Sequence, residues 1–280
     1  MEDKLVMNAI DKKNLIKKFI LTFLIMFFGA TICVIIYDRS TINNEYGINE
    51  KNIEIPIFVY HNIVDNESEV QFDYMQTTAE TFEKQIIGLK NMGYDFITYD
   101  DLQKYANNQK KLKKHSCIIT FDDGYEGVYE NAYPIAKKYN IPITIFVITD
   151  NMETAGVLTW QQVIEMQSSG IVTIASHSTN HPEFTNLSVE EAVMDVNTSY
   201  SIIEEKVGKQ NTKIFTYPYG LYKDEQVDSL KNSGYIQNLT DNKINESKNL
   251  DMARLHRCYP LSDSPIKMFA KIVYRSIRYD

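Results

Sequence analysis

Short apolar runs alternate with helix-like stretches along most of this chain, and that alternation limits its fold more than any other feature. "IPIFVY" (55–60), "CIITF" (117–121), "ITIFVI" (143–148), "IVTIAS" (171–176) and "KIFTY" (213–217) read as strands, with a last strand near 252–258. They are rich in branched and aromatic residues and too short for buried helices. Between them lie helical patterns. Residues 77–93 open on a capping box of Thr77 and Glu80, place Phe82, Ile86, Leu89 and Met92 at helical spacing, and stop at Gly93. Further helices are expected at 125–139, 159–169, 188–207 (with Ser188 and Glu191 as a second capping box), 223–232 and 265–278. Strands alternating with helices predict a parallel sheet with helices outside it. About seven such units suit an α/β fold built as a distorted or incomplete (β/α) TIM-like barrel, with an open doubly wound sheet as the alternative. Both put chemistry at the C-terminal ends of the strands.

One segment breaks this pattern. "FILTFLIMFFGATICVII" (19–36) has no charge over eighteen residues. As a helix it would be roughly 27 Å long, close to the thickness of a bilayer core. Lys12, Lys13, Lys17 and Lys18 precede it, which orients the N-terminus to the cytoplasm and the rest outward. A cleaved signal peptide is the rival reading, but no small-x-small site follows the apolar run. The expected organisation is a cytoplasmic tail (1–18), one transmembrane anchor (19–37), a polar linker (38–52) and an extracytoplasmic domain (53–280) at the cell membrane.

The net charge of −8 argues against nucleic acid as a partner, because phosphate binding needs clustered Lys and Arg. The three cysteines make no disulfide framework. Cys33 falls in the anchor, and Cys117 and Cys258 fall at different levels of a parallel fold.

The strand-end rule sorts the five histidines. His61 follows the first strand, His177 and His181 follow "IVTIAS", and His256 lies late in the last strand. Only His115 precedes a strand. Four histidines thus gather at the face where "TFDDG" brings out Asp122 and Asp123. Adjacent carboxylates repel unless a cation neutralises them. A catalytic metal site takes three protein ligands from Asp, Glu and His and leaves a position for water. "SHSTNH" (176–181) supplies two histidines four residues apart, and one aspartate completes the set. The other aspartate is then available to take a proton from the attacking water. "FTYPYG" (215–220) ends another strand and could aim backbone N–H groups at a developing oxyanion.

"TFDDGY", "SHSTNH" and "YPYG", in this order and at these spacings, resemble polysaccharide deacetylases of carbohydrate esterase family four, the NodB-like domain. "IPIFVYHNI" and "TTAETFEKQIIGLKNMGYDFITYDDL" are similar to the membrane-anchored or secreted branch that includes poly-N-acetylglucosamine deacetylases. The resemblance spans residues 53 to about 265. It implies a distorted (β/α) barrel, one divalent metal ion (zinc, with cobalt, nickel or manganese as alternatives) and hydrolysis of N-acetyl groups on an amino-sugar polysaccharide. It further implies Asp122 as general base, Asp123, His177 and His181 as metal ligands, and a backbone oxyanion donor at Tyr219. A monomer is expected.

Trp160, Tyr217, Pro218 and His256 are the candidate substrate contacts, though Trp160 could instead pack its helix on the barrel. Two positions depart from the family pattern. The arginine that orients the base in many members is replaced by Thr216, leaving Arg254 or Arg257 to take over. The segment carrying the general acid is only loosely matched by "MARLHR". If the last strand runs through 257, His256 and the arginines face opposite ways. Arginines inward are favoured, with Arg257 holding Asp122, and with His61 or water passing on the base's proton as the acid.

Overall fold

The computed structural model describes residues 53–66 and 75–260, all within one compact unit, Tyr46–Asp280. The expected tail, anchor and linker, and the expected helix at 265–278, lie outside the described residues. Among the described residues no helix is long and apolar enough to cross a membrane.

Eight strands build the sheet: β1 (Ile57–Tyr60), β2 (Asp95–Phe96), β3 (Ser116–Phe121), β4 (Ile143–Val147), β5 (Val172–Ser176), β6 (Ile214–Thr216), β7 (Ile236–Thr240) and β8 (Leu255–Arg257). Every pairing among them is parallel, and β3 to β8 follow one another in order. β1 pairs with most of β3 from Ile57↔Ile118 to Tyr60↔Phe121. β2 takes only the start of the same edge, at Asp95↔Ser116 and Phe96↔Cys117. The ring closes between β8 and β1, where the Val59 N–H donates to the Cys258 carbonyl (3.0 Å) and the Cys258 N–H to that of Ile57 (2.9 Å). The open doubly wound alternative is thereby excluded. The barrel is thinnest between β5 and β6, which share the single pair Ser176↔Phe215.

Among the described residues six α-helices surround it: α1 (Ala79–Asn91), α2 (Tyr99–Ala106), α3 (Tyr133–Tyr139), α4 (Trp160–Ser168), α5 (Val189–Val207) and α6 (Asp224–Asn232). The Ser188–Glu191 capping box opens α5 as its sequence suggests. The cap of α1 is Thr78 rather than Thr77, its side chain accepting from the Thr81 N–H. Residues 125–139 are not one helix, because a π turn at Val128–Ala132 precedes α3. Gly127 permits that turn: a Cβ there would lie 2.3 Å from both Asn62 Oδ1 and the Ile63 carbonyl oxygen.

The pleat divides each strand between two environments. Ile57, Ile118, Phe146, Ala175, Ile214, Ile236 and Leu255 form one buried cluster that fills the lower barrel. Their neighbours Phe58, Ile119, Ile145 and Ile174 pack outward against α1, α3 and α4. Phe215 and Leu239 do the same against α5 and α6. Cys117 and Cys258 are buried in this outer layer and form no disulfide.

β7 is invisible to hydrophobic periodicity because two fully buried residues in it are Gln237 and Asn238. Their polar groups are satisfied inside the protein, which is what makes burial tolerable. Gln237 accepts from the Tyr217 hydroxyl (2.6 Å) and donates to the Val227 carbonyl (2.8 Å). Asn238 accepts from the Tyr99 hydroxyl (2.6 Å) and donates to the Phe215 carbonyl (3.1 Å).

Candidate active site

β3 sends Ile118, Thr120 and then Asp122 into the barrel. The Asp122 N–H donates to the Tyr60 carbonyl (2.9 Å), so this residue still keeps the strand register. The next residue does not: Asp123 has φ 69° and Gly124 φ 74°. Aspartate is among the side chains that tolerate this left-handed conformation best. The reversal sends the two neighbouring carboxylates to different partners.

Asp122 meets Arg257. The guanidinium grips the carboxylate with both forks, Nη1 to Oδ1 at 2.7 Å and Nη2 to Oδ2 at 2.8 Å. Arg257 also donates to three threonine hydroxyls, Thr120 (3.3 Å), Thr216 (2.5 Å) and Thr240 (2.8 Å), and its charge lies 5.2 Å from the centre of the Phe146 ring. Bonds from β8 to β3 and β6 can only cross the barrel interior, so Arg257 points inward. It is fully buried, as is most of Asp122. Burial by itself raises a carboxyl pKa, but the charge and hydrogen bonds of Arg257, aided by His177, outweigh it and hold Asp122 at about 2.

Asp123 meets the two histidines. Its Oδ1 lies 3.4 Å from His177 Nε2 and 3.7 Å from His181 Nε2, and the two Nε2 atoms are 3.2 Å apart. These ligand atoms lie within 4.8 Å of one another. Asp123 Oδ1 is buried with no hydrogen-bond partner among the described residues, an expensive state unless something positive sits there. His177 Nδ1 lies 2.9 Å from the Thr216 carbonyl oxygen. That oxygen can only accept, so Nδ1 carries a proton and Nε2 faces the cluster. Burial lowers the pKa of this ring, but Asp123 and Asp122 outweigh it and raise it, and a metal at Nε2 would displace the second proton. Burial, then His177, lower His181 to about 4, leaving it neutral and able to ligate. The donor set fits a divalent metal ion.

The loop carrying both histidines is strained and pinned. Ser178 (φ 76°) and His181 (φ 59°) are left-handed non-glycine residues, like Asp123 and Tyr219 (φ 60°). Such conformations cost on the order of 1–3 kcal/mol each and persist where the surroundings impose them. Here the His181 N–H donates to Ser178 Oγ (2.9 Å), and the Ser178 N–H to Ser176 Oγ (3.2 Å), which is in turn bonded to Ser199 Oγ (2.8 Å). Asp195, one turn before Ser199 on α5, accepts from both the N–H and the hydroxyl of Thr179. Asp195→Ala is expected to weaken metal affinity about 10–100-fold with the fold intact, since groups that orient ligands carry effects of that size. Metal titration beside a melting curve checks this; unchanged affinity would show that the loop holds itself.

The remaining candidates are scattered. His61 is buried at the end of β1, stacked nearly parallel to Tyr259 (ring centres 6.1 Å apart), with no hydrogen-bond partner for Nδ1 among the described residues. Burial lowers its pKa against the pull of Asp122 and Asp123. The Tyr219 ring stands 4.4 Å from that of His181 and is 65% exposed. Pro218 is buried at the head of its turn.

Three expectations need correction. Tyr217 is not a substrate contact: alternation turns Thr216 inward, and Tyr217 is buried in the outer aromatic cluster. His256 faces away from the interior and bonds Asp241 through Nδ1 (2.8 Å). Arg254 does not share the orientation of Arg257. It precedes β8, two residues from His256 and so not opposed to it in alternation, and binds Asp224 and Asp228 on α6. Trp160 is half-buried and packs against the outer core, its second reading. His115 lies at the far end of the barrel, as its place before β3 requires, its carbonyl accepting from the Asp95 N–H. The supporting groups Thr120, Thr240, Asp195 and Ser199 carried no signal beyond the four-residue spacing of the last two on a helix.

Residues 109–237 match the family model described as polysaccharide deacetylase. Bacillus subtilis YxkH, named for the same family, is 31% identical over 208 residues, covering 74% of this chain and 72% of that protein. The poly-beta-1,6-N-acetyl-D-glucosamine N-deacetylase of Staphylococcus epidermidis is 30% identical over 200 residues, covering 67% of this chain and 68% of the relative. Among solved structures, the Streptococcus pyogenes deacetylase PplD in complex with acetate superposes with a TM-score of 0.71 at 26% identity, covering 79% of this chain and 99% of that one.

Proposed function

This chain belongs to the polysaccharide deacetylase family, and from that premise we propose that it removes N-acetyl groups from an N-acetylglucosamine-containing cell-surface polysaccharide. The observation that carries the reading is the divergence of Asp122 and Asp123 into two environments, one clamped by Arg257 and one facing two imidazoles. The choice of an N-acetyl substrate is supported by the named activity of the Staphylococcus epidermidis relative.

Asp123, His177 and His181 would hold one divalent ion, with zinc favoured by the nitrogen-rich donor set and cobalt, nickel or manganese as alternatives. When bound, it supplies Lewis acidity to the acetyl carbonyl and acidifies water. Asp122 takes the proton of the attacking water. Arg257 keeps that carboxylate ionised and aimed. The Tyr219 N–H, presented by a left-handed turn, donates to the oxyanion. Amide cleavage also needs an acid, because an amide anion leaves poorly. His61, buried near Asp122 and Asp123 and with no hydrogen-bond partner for Nδ1 among the described residues, relays to the amine the proton that Asp122 takes from water, as the inward-facing alternative to His256; water passing on that proton is the other route.

We further propose that residues 19–37 anchor the protein, with the catalytic domain outside the membrane and acting as a monomer. The support is the uncharged run and the lysines before it. One experiment covers both halves. Membranes carrying the full chain should release acetate from an N-acetylglucosamine polymer, peptidoglycan and β-1,6-linked polymer being tried separately. Release from O-acetyl esters alone would overturn the amide reading. Activity confined to the medium, in protein beginning after residue 36, would overturn the anchor.

A further inference from the structure

Two of the histidines at the strand ends are held by a hydrogen bond at Nδ1, His177 by the Thr216 carbonyl (2.9 Å) and His256 by Asp241 (2.8 Å). His61 has no such partner among the described residues. The torsion that turns an imidazole about its Cβ bond is broad and roughly two-fold. A histidine that must deliver a proton to one place therefore needs another constraint.

Tyr259 supplies it. Cys258 packs in the outer layer, and Tyr259 follows it, two residues beyond the inward-facing Arg257. Its ring lies 8° from the plane of the His61 ring with centres 6.1 Å apart, within the range of offset stacking. The tyrosine is itself tied down. Its N–H donates to Asn242 Oδ1 (3.2 Å). The next carbonyl, that of Pro260, accepts from Gln85 Nε2 (3.1 Å), and the same buried glutamine accepts from the Tyr60 hydroxyl (2.8 Å). One side chain thus joins the neighbours of both stacked rings, Tyr60 before His61 and Pro260 after Tyr259.

We propose that Tyr259 is a positioning residue, holding the His61 imidazole in the plane from which it passes a proton to the departing amine. This rests on the deacetylase reading above and on His61 as the relay. In that step the oxygen of water bonds to the acetyl carbon and the C–N bond breaks. The amine nitrogen takes the proton that Asp122 removed from water, and the acetyl group leaves as acetic acid. His61 is an imidazolium only in passing, and the face of a tyrosine attracts that charge. Misplacing such a group by about 1 Å costs on the order of 10²-fold in rate.

The test compares two substrates on membranes carrying the full chain. An N-acetylglucosamine oligomer needs its amine protonated, whereas 4-nitrophenyl acetate does not, because its phenolate departs as the anion. Tyr259→Leu should lower kcat on the oligomer at least about tenfold with KM little changed, and leave ester hydrolysis near wild type. Tyr259→Phe, which keeps the ring, should keep the oligomer rate. His61→Gln should show the same loss on the oligomer, and Tyr259→Leu should add little to it, because the two act through one proton transfer.

Equal losses on both substrates would make Tyr259 part of the framework, and a raised KM with kcat kept would make it a substrate contact; either overturns the proposal. So would losses from Tyr259→Leu and His61→Gln that add in full, or a wild-type oligomer rate in His61→Gln. If Tyr259→Leu fails to fold, Asn242→Gly decides. Glycine suits the left-handed backbone at 242 (φ 63°) and removes the acceptor of the Tyr259 N–H. This variant should lower the oligomer rate several-fold and spare the ester, and an unchanged oligomer rate refutes the proposal. A wild-type chain that hydrolyses the ester and no N-acetyl oligomer would overturn the deacetylase reading and the proposal with it, whereas failure of the proposal alone leaves wild-type acetate release intact.

Discussion

Arg257→Met should destabilise the protein by about 3–5 kcal/mol, the usual cost of stranding one member of a buried ion pair. It should also lower kcat for acetate release by at least about 10²-fold, the lower range for a positioned base. The stranded member is Asp122, whose two carboxylate oxygens lose both forks of the guanidinium at once. Three threonine hydroxyls that accept from Arg257 also lose their donor. Arg257→Lys should recover part of the stability and little of the rate, because an ammonium cannot span both oxygens.

The double variant Arg257→Met/Asp122→Asn separates structure from chemistry. With both charges gone it should regain much of the lost stability and none of the activity. A rate near wild type in Arg257→Met would show that Asp122 is oriented by something else.

The sign of the pH effect follows from the same pair. Asp122 is pushed down from 3.8 to about 2, so its folded form binds protons less readily than its unfolded form. Its stabilising contribution is complete above the unfolded value and is lost as pH falls through the folded one. Wild type and Arg257→Met should therefore differ most in stability above pH 4, and converge as the pH approaches 2.

The parts of this site that were legible in the sequence are those fixed by local geometry. "TFDDG" and "SHSTNH" each occupy one strand end, so spacing alone brings Asp122, Asp123, His177 and His181 to one face. Strand alternation left either His256 or Arg257 facing inward, and only the family's arginine missing at Thr216 favoured Arg257. Arg254 could not be assigned in that way, because whether it belonged to the strand depended on a boundary only the fold fixes. β7 shows no hydrophobic periodicity because Gln237 and Asn238 are buried polar residues, and the groups that satisfy them lie from 10 residues away, at Val227, to 139 away, at Tyr99. Tyr217 shares the "YPYG" motif with Pro218 and Tyr219, yet the pleat turns Thr216 inward and Tyr217 out, so motif membership does not fix its side. The short β2, two residues long, carries too little pattern to be seen at all.

The larger effect belongs to the two aspartates themselves. Asp123→Ala, His177→Ala and His181→Ala should each lose bound metal and activity together, since each removes one of three ligand atoms that lie within 4.8 Å. Asp122→Asn should keep the metal. Its amide still fills the space against Arg257 but cannot accept a proton from water, so kcat should fall by about 10²–10⁴-fold.

Metal content and acetate release, measured on the same preparations of Asp122→Asn and Asp123→Ala, test the account most directly. It predicts metal retained and turnover lost in Asp122→Asn, and both lost in Asp123→Ala. Metal lost from Asp122→Asn but kept by Asp123→Ala would contradict it and exchange the roles of the two carboxylates.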